Sequence, residues 1–147
     1  MPRLSIPGFN GRRAFAELDE QEILALAISS EEEDGRIYAT YAANLREAYP
    51  ATAAIFQGMA DEEDEHRRRL IELYRRRFGE TILPLRREHV RDFYARRPVW
   101  LVRNLPLDRI REEAASMERE AQAFYARAAS HTADAETRRL LGDLAAA

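Results

Sequence analysis

"MADEEDEHRRRL", residues 59–70, is the stretch on which the fold turns. The steps Phe56, Met59, Glu63, His66, Leu70 and Leu73 alternate by three and four without a break. That spacing puts all six on one stripe of a helix, the stripe that faces a core. The segment therefore predicts a helix whose inward face carries a carboxylate and an imidazole among apolar residues.

The boundaries of this helix are legible too. Pro50 suits the first turn of a helix and Gly79 the residue just past its end. Before it, Asp19 with Glu22 three residues on has the spacing of a capping box, which opens a first helix expected to run to about Tyr49, where Pro50 ends it. At about 28 residues each, the two helices would be roughly 42 Å long. Joined by a short proline turn, they form an antiparallel pair.

Residues 80–106 break the pattern. "LPLRREHVRDFYARR" (83–97) predicts a shorter helix of about three turns, and "RPVWLVRNLP" (97–106) reads as extended. This length suits a crossover that carries the chain back along a bundle. A third helix is expected over Leu107–Ser130 and a fourth from near Thr132 to the end. The expected fold class is all-α: an antiparallel four-helix bundle with a long crossover, containing a short extra helix, between helices two and three. Residues 1–13, with two prolines and two glycines, read as a flexible leader, and 14–147 as the one domain.

Composition narrows the function. The 23 basic and 26 acidic side chains leave a net charge of only −3, and the basic runs alternate with acids, which is the pattern of a solvated helix face rather than a nucleic-acid surface. The absence of cysteine removes disulfides, thiolate zinc, iron–sulfur clusters and thiol catalysis. No apolar run approaches the roughly 18 residues that span a bilayer. The expectation is a soluble, cytoplasmic domain.

An internal repeat sharpens the picture. "EEEDGRIY" (31–38) and "EREAQAFY" (118–125) each lead from Glu to a Tyr two turns along the same face. At the same offset of 87, Ile110 matches Ile23 and Ala114 matches Ala27. "IFQGMADE" (55–62) aligns with "LLGDLAAA" (140–147) at nearly that offset. The chain reads as two related helical hairpins.

On this frame the acids fall inward. Glu31 is the one charged member of the stripe Leu24, Ala27, Ile28, Glu31, Gly35, Tyr38, Ala42, Leu45, and Gly35 leaves space beside it. Glu118 stands among Ala114, Ala115, Ala121 and Tyr125. Desolvating an unpaired carboxylate costs several kcal/mol, so three of them would consume most of a domain's net stability of about 5–15 kcal/mol. A multivalent cation neutralises them most economically. Glu31, Glu63 and Glu118 with His66 form a hard-oxygen set with one imidazole, suited to iron or manganese and poor for copper(I) or structural zinc. Glu62 is the less favoured alternative to Glu63. His89 in the crossover reads as a surface or packing residue, and His131 as a turn residue.

These residues resemble the di-iron carboxylate pattern of ferritin-like bundles, in which two helices each supply a Glu and two supply Glu-x-x-His. Glu31 and Glu118 match the single-Glu positions, and Glu63 with His66 matches one Glu-x-x-His. Within that group the chain is similar to the rubrerythrin (erythrin) branch. "FAELDEQEILALAISSEEEDGRIY", "EEDEHRRRLIELYRRRFGE" and "RRPVWLVR" are closest to the N-terminal domain of the membrane-bound ferritin A family, whose members join such a domain to a membrane domain of the vacuolar iron transporter type.

The resemblance implies a ferritin-like fold and metal ligands at Glu31, Glu63, His66 and Glu118. It implies Tyr38 and Tyr125 as hydrogen bonders that orient the carboxylates. The implied activity is ferroxidase-type oxidation of Fe(II) by O2 or H2O2 for iron detoxification and export, with no catalytic residue beyond the ligands. A homodimer is implied, with apolar contact from Val99, Trp100 and Leu101, and a cytoplasmic domain tethered to the inner membrane through a C-terminal transporter domain. Two departures qualify this. A rubrerythrin-type peroxidase carries a cysteine-ligated iron, so this chain would need an external electron donor to act as a peroxide reductase. Helix four also lacks a Glu-x-x-His: Ala147 aligns with Glu62, so the expected ligands would begin one residue later, as in a domain cut before the end of helix four. A non-enzymatic metal-sensing dimerisation domain is the third reading.

Overall fold

Asp19 opens the first helix as its spacing predicts. Its Oδ1 accepts from the Glu22 amide at 2.8 Å, and Glu22 Oε1 accepts from the Asp19 amide at 3.0 Å. The computed structural model describes residues 13–96 and 104–147. Among these residues four helices make the fold: α1 (Glu20–Leu45), α2 (Pro50–Phe78), α3 (Leu107–Ser130) and α4 (Ala135–Ala146). Single 3-10 turns lie at Phe15–Glu17 and Arg87–His89. The all-α, ferritin-like four-helix architecture is therefore observed.

α1 ends at Leu45, four residues before the expected Tyr49. The cause is Pro50. The residue before a proline is pushed out of the α region, and Tyr49 sits at φ −137°, ψ 66°. α2 closes at Gly79, whose φ of 95° lies where a β-carbon is disfavoured and whose amide reaches the Arg75 carbonyl at 3.1 Å. α4 begins at Ala135 rather than near Thr132, because Thr132 Oγ1 donates back to the Ala128 carbonyl and finishes α3, while Asp134 caps the Thr137 amide.

The expected three-turn helix in the crossover does not form; one 3-10 turn, Arg87–His89, stands in its place. Residues in this stretch are held by distant partners instead. Arg13 and Val90 form a parallel bridge, and the Phe15 amide donates to Asp92 Oδ1 at 2.8 Å. Residues 1–12 of the expected leader, and the Val99, Trp100 and Leu101 of the expected dimer contact, lie outside the described residues.

The pairings reveal chain direction. α1 and α2 are antiparallel, with Glu20 against Arg77 and Tyr38 against Phe56. α4 is antiparallel to α2, with Arg76 donating to Glu136 at 2.7 Å and Arg69 3.9 Å from Asp143. Since α3 and α4 form a hairpin, α2 and α3 run the same way, as a long crossover requires.

Buried side chains form two apolar clusters among the described residues. One gathers Leu24, Leu26, Leu70, Leu73, Tyr74, Phe124, Leu141 and Leu144. The other gathers Ile37, Tyr41, Leu45, Phe56, Ile110 and Met117, with no member from α4. Glu31 and Asp34 lie between them along α1. Leu70 is fully buried, and Leu70→Ala is expected to cost about 3 kcal/mol, read as a lower urea midpoint at unchanged slope. No described helix is long and apolar enough to cross a membrane.

Candidate metal centre

Glu31 is placed by α1 in the polar layer between the two clusters and is only 3% exposed. Its Oε1 accepts a short hydrogen bond from the Tyr125 hydroxyl of α3. Its Oε2 is buried and has no hydrogen-bond partner among the described residues. His66 Nδ1 stands 3.3 Å from that oxygen without hydrogen-bonding alignment. The Glu63 carboxyl adjoins Glu31, and the charge of Glu31 bears directly on it. Glu31, Glu63 and His66 offer one donor atom each, all within 4.8 Å of one another. Three helical positions read from a stripe of threes and fours thus converge on one point.

The convergence is unfavourable without a cation. Burial pushes the Glu31 carboxyl up, opposed by the neighbouring Glu63 carboxyl and the Tyr125 hydroxyl. Burial also pushes Glu63 up, and the Glu31 charge adds to it. Tyr38 and Tyr125 are raised as well, by burial first and then by the facing carboxylates, so both phenols stay protonated. An orphaned buried oxygen beside a second carboxyl and an imidazole fits a hard divalent ion such as Fe(II) or Mn(II).

A pH dependence follows. A carboxyl whose folded value lies above its unfolded one stabilises the fold fully only below the unfolded value. That contribution fades as pH rises from the ordinary 4.5 through the raised folded range. The metal-free protein is therefore expected to lose about 1 kcal/mol per pH unit for each retained proton. Thermal melts in chelator from pH 5 to pH 8 should show this slope, and Glu31→Gln should flatten it. Metal binding should release protons into a weakly buffered solution.

A cavity of about 180 Å³ opens on the three groups. Residues matched by the repeat line it in pairs: Glu31 with Glu118, Tyr38 with Tyr125, Met59 with Leu144, and Glu62 with Ala147. The cavity thus sits where the two hairpins meet, as related halves require. The pairs are not equivalent. Glu118 is exposed, contrary to the expectation of a buried acid on an apolar face. The inward stripe of α3 runs through Ile110, Ala114, Met117 and Phe124, which leaves Glu118 at its margin beside the exposed Ala115. Glu118 reaches the cavity wall but not the three-residue cluster. Glu62 is exposed at the rim while Glu63 is half-buried, so the geometry favours Glu63.

Sequence reasoning missed Asp34, which is 3% exposed on the same cavity wall. Its Oδ1 accepts from Arg87 Nη2 at 2.8 Å and from Arg96 Nε at 2.9 Å. Both arginines come from the crossover, and the Tyr94 ring is stacked with their guanidiniums at 4.8 and 4.5 Å. The signal was present, since Asp34 is one turn past Glu31, but it lay inside the run "EEED" and its partners are remote in sequence. His89 Nδ1 accepts from the Arg86 amide at 3.0 Å and His131 packs edge-on to Phe15, so neither belongs to the centre.

No curated protein and no solved structure matches the chain. The family model described as Rubrerythrin matches residues 22–147, a span that begins in the first turn of α1 and includes every residue of the centre. Rubrerythrin-type domains generally bind iron, and the donor set described above fits that metal. With bundle, topology and donor set in agreement, the chain belongs to the rubrerythrin family.

Proposed function

We propose that this is a ferroxidase-type domain whose substrate is ferrous iron. One observation carries the reading: Glu31 Oε2, buried and without a partner, meets Glu63 and His66 at a single point. Fe(II) would supply the electrons: two ions, each going to Fe(III), would reduce one dioxygen with two protons to hydrogen peroxide, or one hydrogen peroxide with two protons to two waters. The chain's part is to bind and orient. Tyr125 occupies Glu31 Oε1, which leaves Oε2 for the ion. The apolar clusters on either side exclude water and strengthen each charge interaction. Both raised carboxyls, Glu31 and Glu63, would give up their protons to hold the cation.

Glu118 and Glu62, which also line the cavity, are assigned to a second and weaker ion. Manganese would fit the same donors. The biological setting we infer is iron detoxification by a domain related to membrane-bound ferritin A, cytoplasmic, paired as a dimer and coupled to a membrane transporter domain.

Anaerobic Fe(II) titration followed by admission of oxygen tests the reading. The expected result is one tight ion per chain and an absorbance rise on oxidation, both lost in Glu31→Ala. Absence of Fe(II) binding would end it. Faster turnover of peroxide with an external reductant than of Fe(II) with dioxygen would instead favour peroxide reduction. Tight binding without turnover would favour a sensor.

A further inference from the structure

The first hairpin carries an acid at the cavity wall that the second does not. The repeat offset of 87 sets Ala121 opposite Asp34, and both line the cavity. Asp34 follows Glu31 by three residues, so the two carboxyls are neighbours on one helix face. An acid on the wall of a cation site, one turn from a ligand, is itself a candidate ligand. Its hydrogen bonds explain why it is not one of the converging set. Both short bonds fall on Oδ1, from Arg87 and Arg96. Among the described residues, Oδ2 has one long contact, to Arg96 Nη2 at 3.4 Å.

The two arginines are not equivalent. Arg87 is bound into α1 at several points: Ser30 Oγ at 3.2 Å, the Ser30 carbonyl at 3.0 Å and Glu33 at 2.7 Å. It anchors Oδ1 whatever happens to Oδ2. Arg96 ties Asp34 to α3, reaching Glu120 at 2.6 Å and the Met117 carbonyl at 3.3 Å, and among the described residues it alone touches both carboxylate oxygens.

We propose that Asp34 is a withheld metal ligand, kept from the cation by Arg96, so that the crossover fixes how many carboxylates the centre presents. This rests on the metal-centre reading above. Arg96 is a positioning residue: released from it, Asp34 keeps its anchor to Arg87 through Oδ1 and turns Oδ2 to the ion. Affinity in hard-cation sites follows the number of charged oxygen ligands.

The test is a cycle of Mn(II) titrations by calorimetry on the unaltered protein, Arg96→Met, Asp34→Asn and the double variant, with circular dichroism as a check on folding. Loss of a cation near the site tightens Mn(II) binding in either background. A withheld ligand adds a gain only where Asp34 is present. Arg96→Met is expected to tighten binding about thirtyfold with Asp34 and no more than about threefold with Asn at that position, a coupling of about tenfold or 1.4 kcal/mol. Equal gains in both backgrounds overturn the proposal. If Arg96→Met does not fold, Arg96→Lys decides it. Lysine keeps the charge but not the fork, so tighter binding supports the withheld ligand and unchanged binding overturns it. Mn(II) binding by Arg96→Met alone would sink the metal-centre reading of the unaltered protein and leave the withheld ligand standing. Binding by no protein in the cycle overturns both.

Discussion

Glu63→Ala is expected to raise the melting temperature of the metal-free protein and to abolish its rise on adding Fe(II) or Mn(II). The two effects have one cause. Without a cation, Glu63 is a carboxyl held against Glu31 in a partly buried layer, pushed up by burial and by that neighbour. Removing it relieves a cost of about 1 kcal/mol or more near pH 8. With a cation, the same carboxylate is one of three convergent donors. A ligand at a hundred times its dissociation constant stabilises the fold by about 2.7 kcal/mol, or about 5–10 °C for a chain of this size. The variant should lose that increment. Melting scans with and without metal read both effects. A bundle with no metal role would show the first and never, in the unaltered protein, the second.

The other large effect is expected at a residue that would hold no ion itself. Arg87→Met should cost about 3 kcal/mol and lower the melting temperature by roughly 10 °C. The side chain is 3% exposed and shares the interior with the buried carboxylate of Asp34. Arg87 also satisfies the Ser30 carbonyl. Methionine fills similar volume but leaves a buried carboxylate with Arg96 as its one arginine partner among the described residues. Breaking a buried pair by removing one partner is costly for that reason, whereas removing both costs less. Asp34→Asn in the same chain should therefore recover about half the loss. Purely additive losses would show that the pair is not coupled.

Arg87 and Asp34 also mark where the sequence stops being readable. The capping box at Asp19, the break at Pro50, the closure at Gly79 and the stripe through Glu63 and His66 were legible because each is a local signal with a fixed period or spacing. The same holds for Glu31, whose position among Leu24, Ile28 and Tyr38 already implies burial. The crossover was not legible. Residues 83–97 have fair helical composition, yet Arg87 and Arg96 bond to residues more than fifty positions away, and Val90 is bridged to Arg13. Such tertiary bonds outweigh a propensity of a few tenths of a kcal/mol per residue. The exposure of Glu118 was not legible for a different reason. Periodicity tells which residues share a face, while exposure depends on what covers that face, and α4 runs alongside only the part of α3 nearest their shared turn.

The repeat carried more information than its length suggested. It paired Glu31 with Glu118 and Tyr38 with Tyr125, and all four line one cavity. It also exposes the asymmetry, since Asp34 and its arginines have no counterpart at Ala121.

Anomalous scattering from a crystal soaked with Fe(II) under anaerobic conditions tests the central claim most directly. The account predicts a peak within bonding distance of Glu31 Oε2, Glu63 and His66, between the two apolar clusters. Iron found only at surface carboxylates such as Glu62 or Glu118, with none beside Glu31, would contradict it.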